Sequence, residues 1–121
     1  MFATFLGGYD GRPRTYVLAA VTPSFLDWAF FAAQPRSRTD YIRRMAALDL
    51  MDALGRATGA SFLFQFAKTD SYVSAAGASV YFAAAPGAKD RKVYAGGHDL
   101  SLPDAATDRA AWLARELGLP R

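Results

Sequence analysis

Two short runs of almost unbroken apolar residues constrain the fold of this chain more than any other feature. One run extends from Thr15 to Val21 and the other from Ser61 to Phe66. Continuous hydrophobicity over a short segment is typical of strands covered on both faces, and such strands belong to parallel sheets. A shorter third strand is predicted over Lys92–Tyr94. We therefore expect a parallel sheet with helices on both of its faces.

Helical segments are predicted between and around these strands. Residues 1–8 have the character of a helix end that stops at Gly7-Gly8. A second helix is expected from Tyr41 to about Leu54, with Thr39 or Asp40 as its cap. The last two helices cover 75–85 and the segment that starts at Ser101-x-x-Asp104. For the first of these helices, Ser74 is the predicted cap and Pro86-Gly87 the predicted stop. The last helix has Pro103 in its first turn and a stop at Gly118. Its predicted apolar face consists of Ala105, Ala106, Trp112, Leu113 and Leu117. This alternation predicts right-handed crossovers and an α/β architecture.

Composition narrows the functional classes. A length of 121 residues with 52% hydrophobic residues suits one domain over 1–121. The net charge of +3 is scattered and accompanies no groove-reading motif, so no nucleic-acid partner is expected. The absence of cysteine and the single histidine predict no disulfide, no metal and no cofactor. No apolar run is long enough for a membrane span and no leader is visible, so we expect a cytoplasmic protein without a membrane partner.

Two chemically active residues follow the second and third predicted strands. Asp70 comes after the strand that ends at Phe66, and His98, the only histidine, follows Tyr94 through Gly96-Gly97. Loops at the carboxyl ends of parallel strands form the sites of α/β folds. The separation of 28 positions from Asp70 to His98 leaves room for one crossover. We therefore expect these two side chains to lie close together.

These segments resemble the carboxyl half of α/β-hydrolases, most closely the dienelactone-hydrolase-like and esterase-like members. The resemblance is carried by 62–66 with Lys68-Thr69-Asp70, by a helix that ends over 81–86, by 94–98, and by 12–18 with Thr22-Pro23-Ser24-Phe25. It implies a three-layer partial α/β-hydrolase fold with about three parallel strands flanked by helices. It also implies that 1–8 is the tail of the nucleophile helix and that 24–58 is a cap-like helical segment.

The resemblance assigns catalytic roles to Asp70 and His98. His98 would be the general base, and Asp70 would orient its ring and stabilise the imidazolium. The residues alone leave other interpretations open. His98 can be an ordinary loop histidine, and Asp70 can be a turn carboxylate bonded to the backbone near Tyr72 and Val73. Asp27 is a rival for the acid, whereas Asp99 is expected to point toward the last helix.

The nucleophile expected by this resemblance is missing. No Gly-x-Ser-x-Gly occurs in the sequence, and Ser24, the serine nearest to the expected site, follows a proline. We expect the carboxyl-terminal part of an ester or lactone hydrolase, truncated before its nucleophile elbow and inactive alone. Phe25 and Trp28 would line the substrate pocket, although aromatic stripes also form ordinary core.

Two further functions remain open at this point. The chain could be a non-catalytic interaction module that forms a homodimer, or completes an amino-terminal half, through the edge of the strand over 15–21. It could also be an unrelated small enzyme that uses His98 alone.

Overall fold

A computed structural model of the protein describes residues 2–23 and 37–120. Three strands form one sheet in the order β1-β2-β3, and both strand pairs are parallel. The elements in chain order are α1 Phe2–Tyr9, β1 Thr15–Ala19, α2 Arg38–Met45, a 3-10 turn Ala46–Leu48, α3 Leu50–Arg56, β2 Ser61–Ala67, α4 Ala75–Ala84, β3 Lys89–Tyr94 and α5 Pro103–Glu116. The predicted fold class, three parallel strands flanked by helices, is confirmed.

The main core lies on one face of the sheet, under α1, α3 and α4. Phe62, Phe64 and Phe66 alternate along β2 and are all buried in this core, as the sequence predicts for sheet residues. Tyr16 stacks on Phe62 with ring centroids 5.5 Å apart. Helices α3 and α4 add further buried side chains, namely Leu50, Leu54, Ala78 and Tyr81. The face is therefore closed by aromatic and aliphatic packing.

Helix α5 lies on the other face. Its buried residues are Ala105 and Trp112, and the Trp112 indole donates a 2.8 Å hydrogen bond to the Thr15 hydroxyl of β1. Leu113 and Leu117 are exposed, so the predicted apolar face of this helix is narrower than expected. Burial of two residues about two turns apart is enough to seat α5 on a sheet of three strands.

The glycine pair near the amino terminus lies in the last turn of α1, which ends at Tyr9, one residue after the predicted stop. Gly8 lies directly against the backbone of α3. A Cβ atom at this position would be 2.3 Å from the carbonyl oxygen of Ala53. Gly8 therefore also permits close packing of two helices, which the sequence analysis did not predict.

The single helix expected over 41–54 is in fact two helices joined by a 3-10 turn. Asp49 causes the break, because its side chain accepts hydrogen bonds from the amides of Met51 and Asp52 and so begins α3. The cap of α2 is Ser37, which accepts from the Asp40 amide, and not Thr39 or Asp40. Residues 24–36 of the expected cap-like segment lie outside the described residues.

Three other boundaries also differ from the expectation. β1 ends at Ala19, because Ala20 has a positive φ of 48° that leaves the strand conformation. β3 begins at Lys89 and includes charged residues, which an edge strand tolerates because their side chains reach solvent. At the start of α5 the cap position is Leu102 without a side-chain cap, so Ser101-x-x-Asp104 is not a capping box.

Within 2–23 and 37–120, no helix combines the length and the apolar content that a bilayer crossing needs.

We predict that Gly8→Ala destabilises the protein by about 2 kcal/mol, because its methyl group meets backbone that cannot rotate away. The gain in helix propensity from alanine, about 1 kcal/mol, is smaller than this penalty. Chemical denaturation followed by circular dichroism measures the change. The matched control is Gly11→Ala, since a Cβ there meets nothing within 4 Å. Equal stabilities of the two variants would contradict the close packing of α1 on α3.

Candidate active site

Asp70 and His98 lie together at the carboxyl edge of the sheet. Asp70 follows β2, His98 follows β3, and these strands are parallel neighbours. The Nδ1 atom of His98 is 3.0 Å from each of the two carboxylate oxygens of Asp70. Because a carboxylate only accepts hydrogen bonds, the proton of this contact lies on Nδ1. In a neutral imidazole with its proton on Nδ1, the other ring nitrogen, Nε2, has the lone pair.

The carboxylate of Asp70 is buried and held by its own turn. Its side chain is 1% exposed, and Oδ1 accepts hydrogen bonds from the amides of Tyr72 at 2.8 Å and Val73 at 2.9 Å. Burial acts most strongly on the pKa of Asp70 and raises it, but the two amides and His98 together outweigh burial, so the pKa is lowered overall. Asp70 is therefore ionised. It accepts hydrogen bonds from the backbone of its own turn and also contacts His98.

The imidazole of His98 is more open than its partner. Its side chain is 39% exposed, against 1% for Asp70. The ring of Tyr72 packs against it in a T-shaped arrangement, with centroids 4.8 Å apart and an interplanar angle of 71°. An ionised, buried acid thus orients a histidine that solvent can reach. Such a pair can accept a proton at Nε2 while the acid stabilises the resulting charge.

Thr69 connects the two loops that carry this pair, a role that the sequence analysis missed. Its hydroxyl donates to the carbonyl oxygen of Gly96 at 2.7 Å, and its amide donates to the same oxygen at 3.2 Å. A Cβ atom on Gly96 would be 2.7 Å from Leu102, whereas Gly97 faces open space. Only the first glycine of the Gly96-Gly97 pair therefore serves a close approach. The threonine directly before the acid was the sequence signal for this connection.

A buried polar network under the site was also missed. Gln65 is fully buried in β2, and its amide nitrogen donates to the Tyr94 hydroxyl and to the Ala105 carbonyl, each at 2.8 Å. Arg109 donates to the Gln65 side-chain oxygen at 2.9 Å, and the Tyr94 hydroxyl donates to Asp108 at 2.8 Å. Burial, and then the hydrogen bond to Asp108, raise the pKa of Tyr94 to about 12. The network joins β2, β3 and α5, and its signal was a glutamine within an apolar strand.

Most of the other candidate residues belong to a segment that the structure does not describe. Phe25, Trp28, Asp27 and Ser24 lie outside the part of the chain that the structure describes. The Asp99 carboxylate lies 3.5 Å from the amide of Ser101, two residues before α5 begins.

Four serines in the described ranges have partners away from His98. Ser37 and Ser74 cap helices, Ser61 donates to Glu116, and Ser79 donates to the Ala75 carbonyl. None of the serines that the structure describes hydrogen-bonds to His98. Across residues 2–23 and 37–120 no group of three or more acidic or histidine side chains could hold a metal ion.

Comparison with known proteins gives a structural match but no sequence match. No family model matches the chain, and no curated protein matches it. Among solved structures, the esterase domain of a Rhodothermus marinus protein superposes with a TM-score of 0.72 at 16% identity. The match covers 93% of this chain and 56% of that chain, so this chain spans little more than half of the esterase domain. The chain therefore has an esterase-like α/β fold.

We predict that Asp70 makes folding stability sensitive to acid. Because the pKa of Asp70 is lowered from its ordinary 3.8, its stabilising contribution is complete above that value and is lost as the pH falls through the lower, folded-state pKa. Asp70→Asn should cost about 1–3 kcal/mol at neutral pH and should lose less additional stability on acidification. Urea unfolding at a series of pH values measures both effects. The control is Asp99→Asn, at an exposed aspartate beside His98. Identical acid profiles for wild type and Asp70→Asn would refute the assignment.

Proposed function

We propose that this chain supplies the acid and the base of an ester or lactone hydrolase site, with Asp70 as the acid and His98 as the base. The observation that carries the proposal is the 3.0 Å contact of His98 Nδ1 with a buried carboxylate at the carboxyl edge of a parallel sheet. The esterase-like fold supports the same reaction class. Within this class of substrates, we propose a dienelactone-type lactone.

The chemistry proposed for the pair follows from its hydrogen bonds. Nε2 of His98 would take the proton of an attacking hydroxyl as that oxygen bonds to the ester carbonyl carbon. The imidazolium formed would be stabilised by ionised Asp70 and would then return the proton to the leaving alcohol. The acid needs no movement, because two backbone amides already hold it.

The attacking hydroxyl is proposed to come from a polypeptide segment outside these 121 residues. The sequence contains no Gly-x-Ser-x-Gly, and four of the described serines have the structural partners given above. On this proposal the isolated chain holds a remnant of a triad and is inactive. Phe25 and Trp28 are proposed to line the substrate pocket once the site is complete.

We predict that the isolated chain hydrolyses p-nitrophenyl acetate no faster than free imidazole, and that the DNA upstream encodes a segment with Gly-x-Ser-x-Gly. Co-expression with that segment should give hydrolysis. In the combined protein, His98→Ala should lower kcat roughly 10⁶-fold, and Asp70→Asn should lower it about 10⁴-fold.

The matched control for this assay is Asp99→Asn, which alters a carboxylate next to His98 in sequence that lies 3.5 Å from the Ser101 amide and should keep full activity. Hydrolysis by the isolated chain that His98→Ala abolishes would instead support a small enzyme using His98 alone. Activity in the combined protein that survives Asp70→Asn would refute the proposed role of the acid.

A second candidate function, a non-catalytic interaction module, is favoured by the free edge of β1. The hydrogen bonds from Ser61 N to Arg14 O and from Ala20 N to Gln65 O place the even-numbered residues of β1 toward β2. The backbone groups of Thr15, Val17 and Ala19 therefore face the opposite edge, on which no strand pairs among the described residues. An open edge of this kind is a template for another strand. The partner would be a second copy of the chain or an amino-terminal half.

We predict for this second function that Val17→Pro prevents assembly. Proline at this position removes an amide that faces the open edge and leaves the bonds to β2 in place. Light scattering should show a dimer for the wild-type chain and for the control Val17→Ala, but a monomer for Val17→Pro. A wild-type chain that stays monomeric at high concentration would exclude the homodimer.

A further inference from the structure

We propose that Tyr72 is the positioning residue for His98, which holds the imidazole in the one orientation that presents Nε2 to the site. This inference rests on the proposed hydrolase function, because that function gives Nε2 its use. Tyr72 contacts both members of the pair: its amide donates to Asp70 Oδ1 and its ring packs against the His98 ring.

The Asp70 contact is a single point of attachment for the imidazole. Nδ1 is 3.0 Å from Oδ1 and 3.0 Å from Oδ2, so both carboxylate oxygens meet the same ring nitrogen. The ring changes orientation through the two side-chain torsions of His98, and in other rotamers Nδ1 leaves the carboxylate. Since the histidine side chain is 39% exposed, close packing from the core does not surround it. A second contact on the ring therefore limits the change to other rotamers.

The ring of Tyr72 is in position to provide this limit. The two ring centroids are 4.8 Å apart, and the interplanar angle of 71° is close to the edge-to-face geometry that aromatic rings favour. Turning the imidazole would bring it against the tyrosine ring or break this contact. Either result costs free energy, so the observed orientation is selected.

The backbone of Tyr72 cannot easily move away from this contact. The amides of Tyr72 and Val73 both bond to Oδ1 of Asp70, and the Val73 side chain is buried in the main core. The turn that starts at Asp70 is therefore anchored at the carboxylate and at the core, while the tyrosine side chain, 48% exposed, extends over the histidine. One short turn thus holds the acid through its amides and the base through a ring.

The test is nuclear magnetic resonance of the isolated chain labelled with ¹⁵N at histidine, comparing wild type with Tyr72→Phe, Tyr72→Leu and Tyr72→Ala. The two ring ¹⁵N shifts report the tautomer at alkaline pH, where an ordinary imidazole is neutral. Side-chain couplings report the orientation. We expect one orientation and a proton on Nδ1 in wild type and Tyr72→Phe. In Tyr72→Ala and Tyr72→Leu, the preference for that orientation should fall roughly three- to tenfold.

Tyr9→Ala is the matched control, because Tyr9 is an exposed tyrosine on α1. It should leave the histidine spectrum unchanged. An unchanged spectrum in both Tyr72→Ala and Tyr72→Leu would overturn the inference. So would a Tyr72→Phe spectrum that matches that of Tyr72→Ala, since the hydroxyl and not the ring would then be responsible.

These spectra need no catalysis, so their outcome is separate from that of the hydrolase proposal. In a combined protein that hydrolyses esters, Tyr72→Ala should lower kcat by a similar three- to tenfold factor with KM unchanged, and Tyr72→Phe should restore it. A fall in kcat with unchanged histidine spectra would overturn the positioning role and leave the hydrolase proposal standing. Absence of hydrolysis together with the expected spectra would support the positioning of His98 by Tyr72 and overturn the hydrolase proposal.

Discussion

The parallel pairing of β2 with β3 is the constraint on which the candidate site depends. It brings the loops after two strands to the same edge of the sheet, although 28 residues separate Asp70 from His98 in the chain. Hydrogen bonds continue beyond the strands, from the Lys68 amide to the Tyr94 carbonyl and from Thr69 to Gly96. The hydrogen bonding of the sheet therefore continues into the two loops. These bonds restrict the backbone that carries Asp70 and His98.

The two members of the pair occupy different environments for a physical reason. Burying a carboxylate is unfavourable unless hydrogen bonds replace its lost water, and here two amides and an imidazole do so. The histidine needs no such compensation because solvent still reaches it. A rigid acid beside an accessible base is suited to proton transfer with an external group. In the described residues, the structure shows no such group bonded to the histidine.

The sequence predicted those parts of the structure that follow from patterning. The continuous apolar runs indicated parallel strands, and the order of the elements indicated which strand ends would carry Asp70 and His98. It did not predict features that depend on contacts distant in the chain. Gly7-Gly8 has the local signature of a helix stop, and α1 does end at Tyr9, but the packing of α3 against Gly8 has no local signature. Likewise, the place of Gln65 in an apolar strand indicates burial, but it does not show its hydrogen-bond partners, because β3 and α5 supply them.

The buried Gln65 also limits how the sheet can be assembled. Its side chain has partners from β3 and from α5 at three separate atoms, the Tyr94 hydroxyl, the Ala105 carbonyl and the Arg109 guanidinium. If β3 slipped along β2 by two residues, its side chains would keep the same faces, but the glutamine amide would lose the hydroxyl of Tyr94. An apolar residue at this position would pack in either alignment. The glutamine therefore distinguishes the native strand alignment from its nearest competitor, a discrimination that hydrophobic packing alone does not provide.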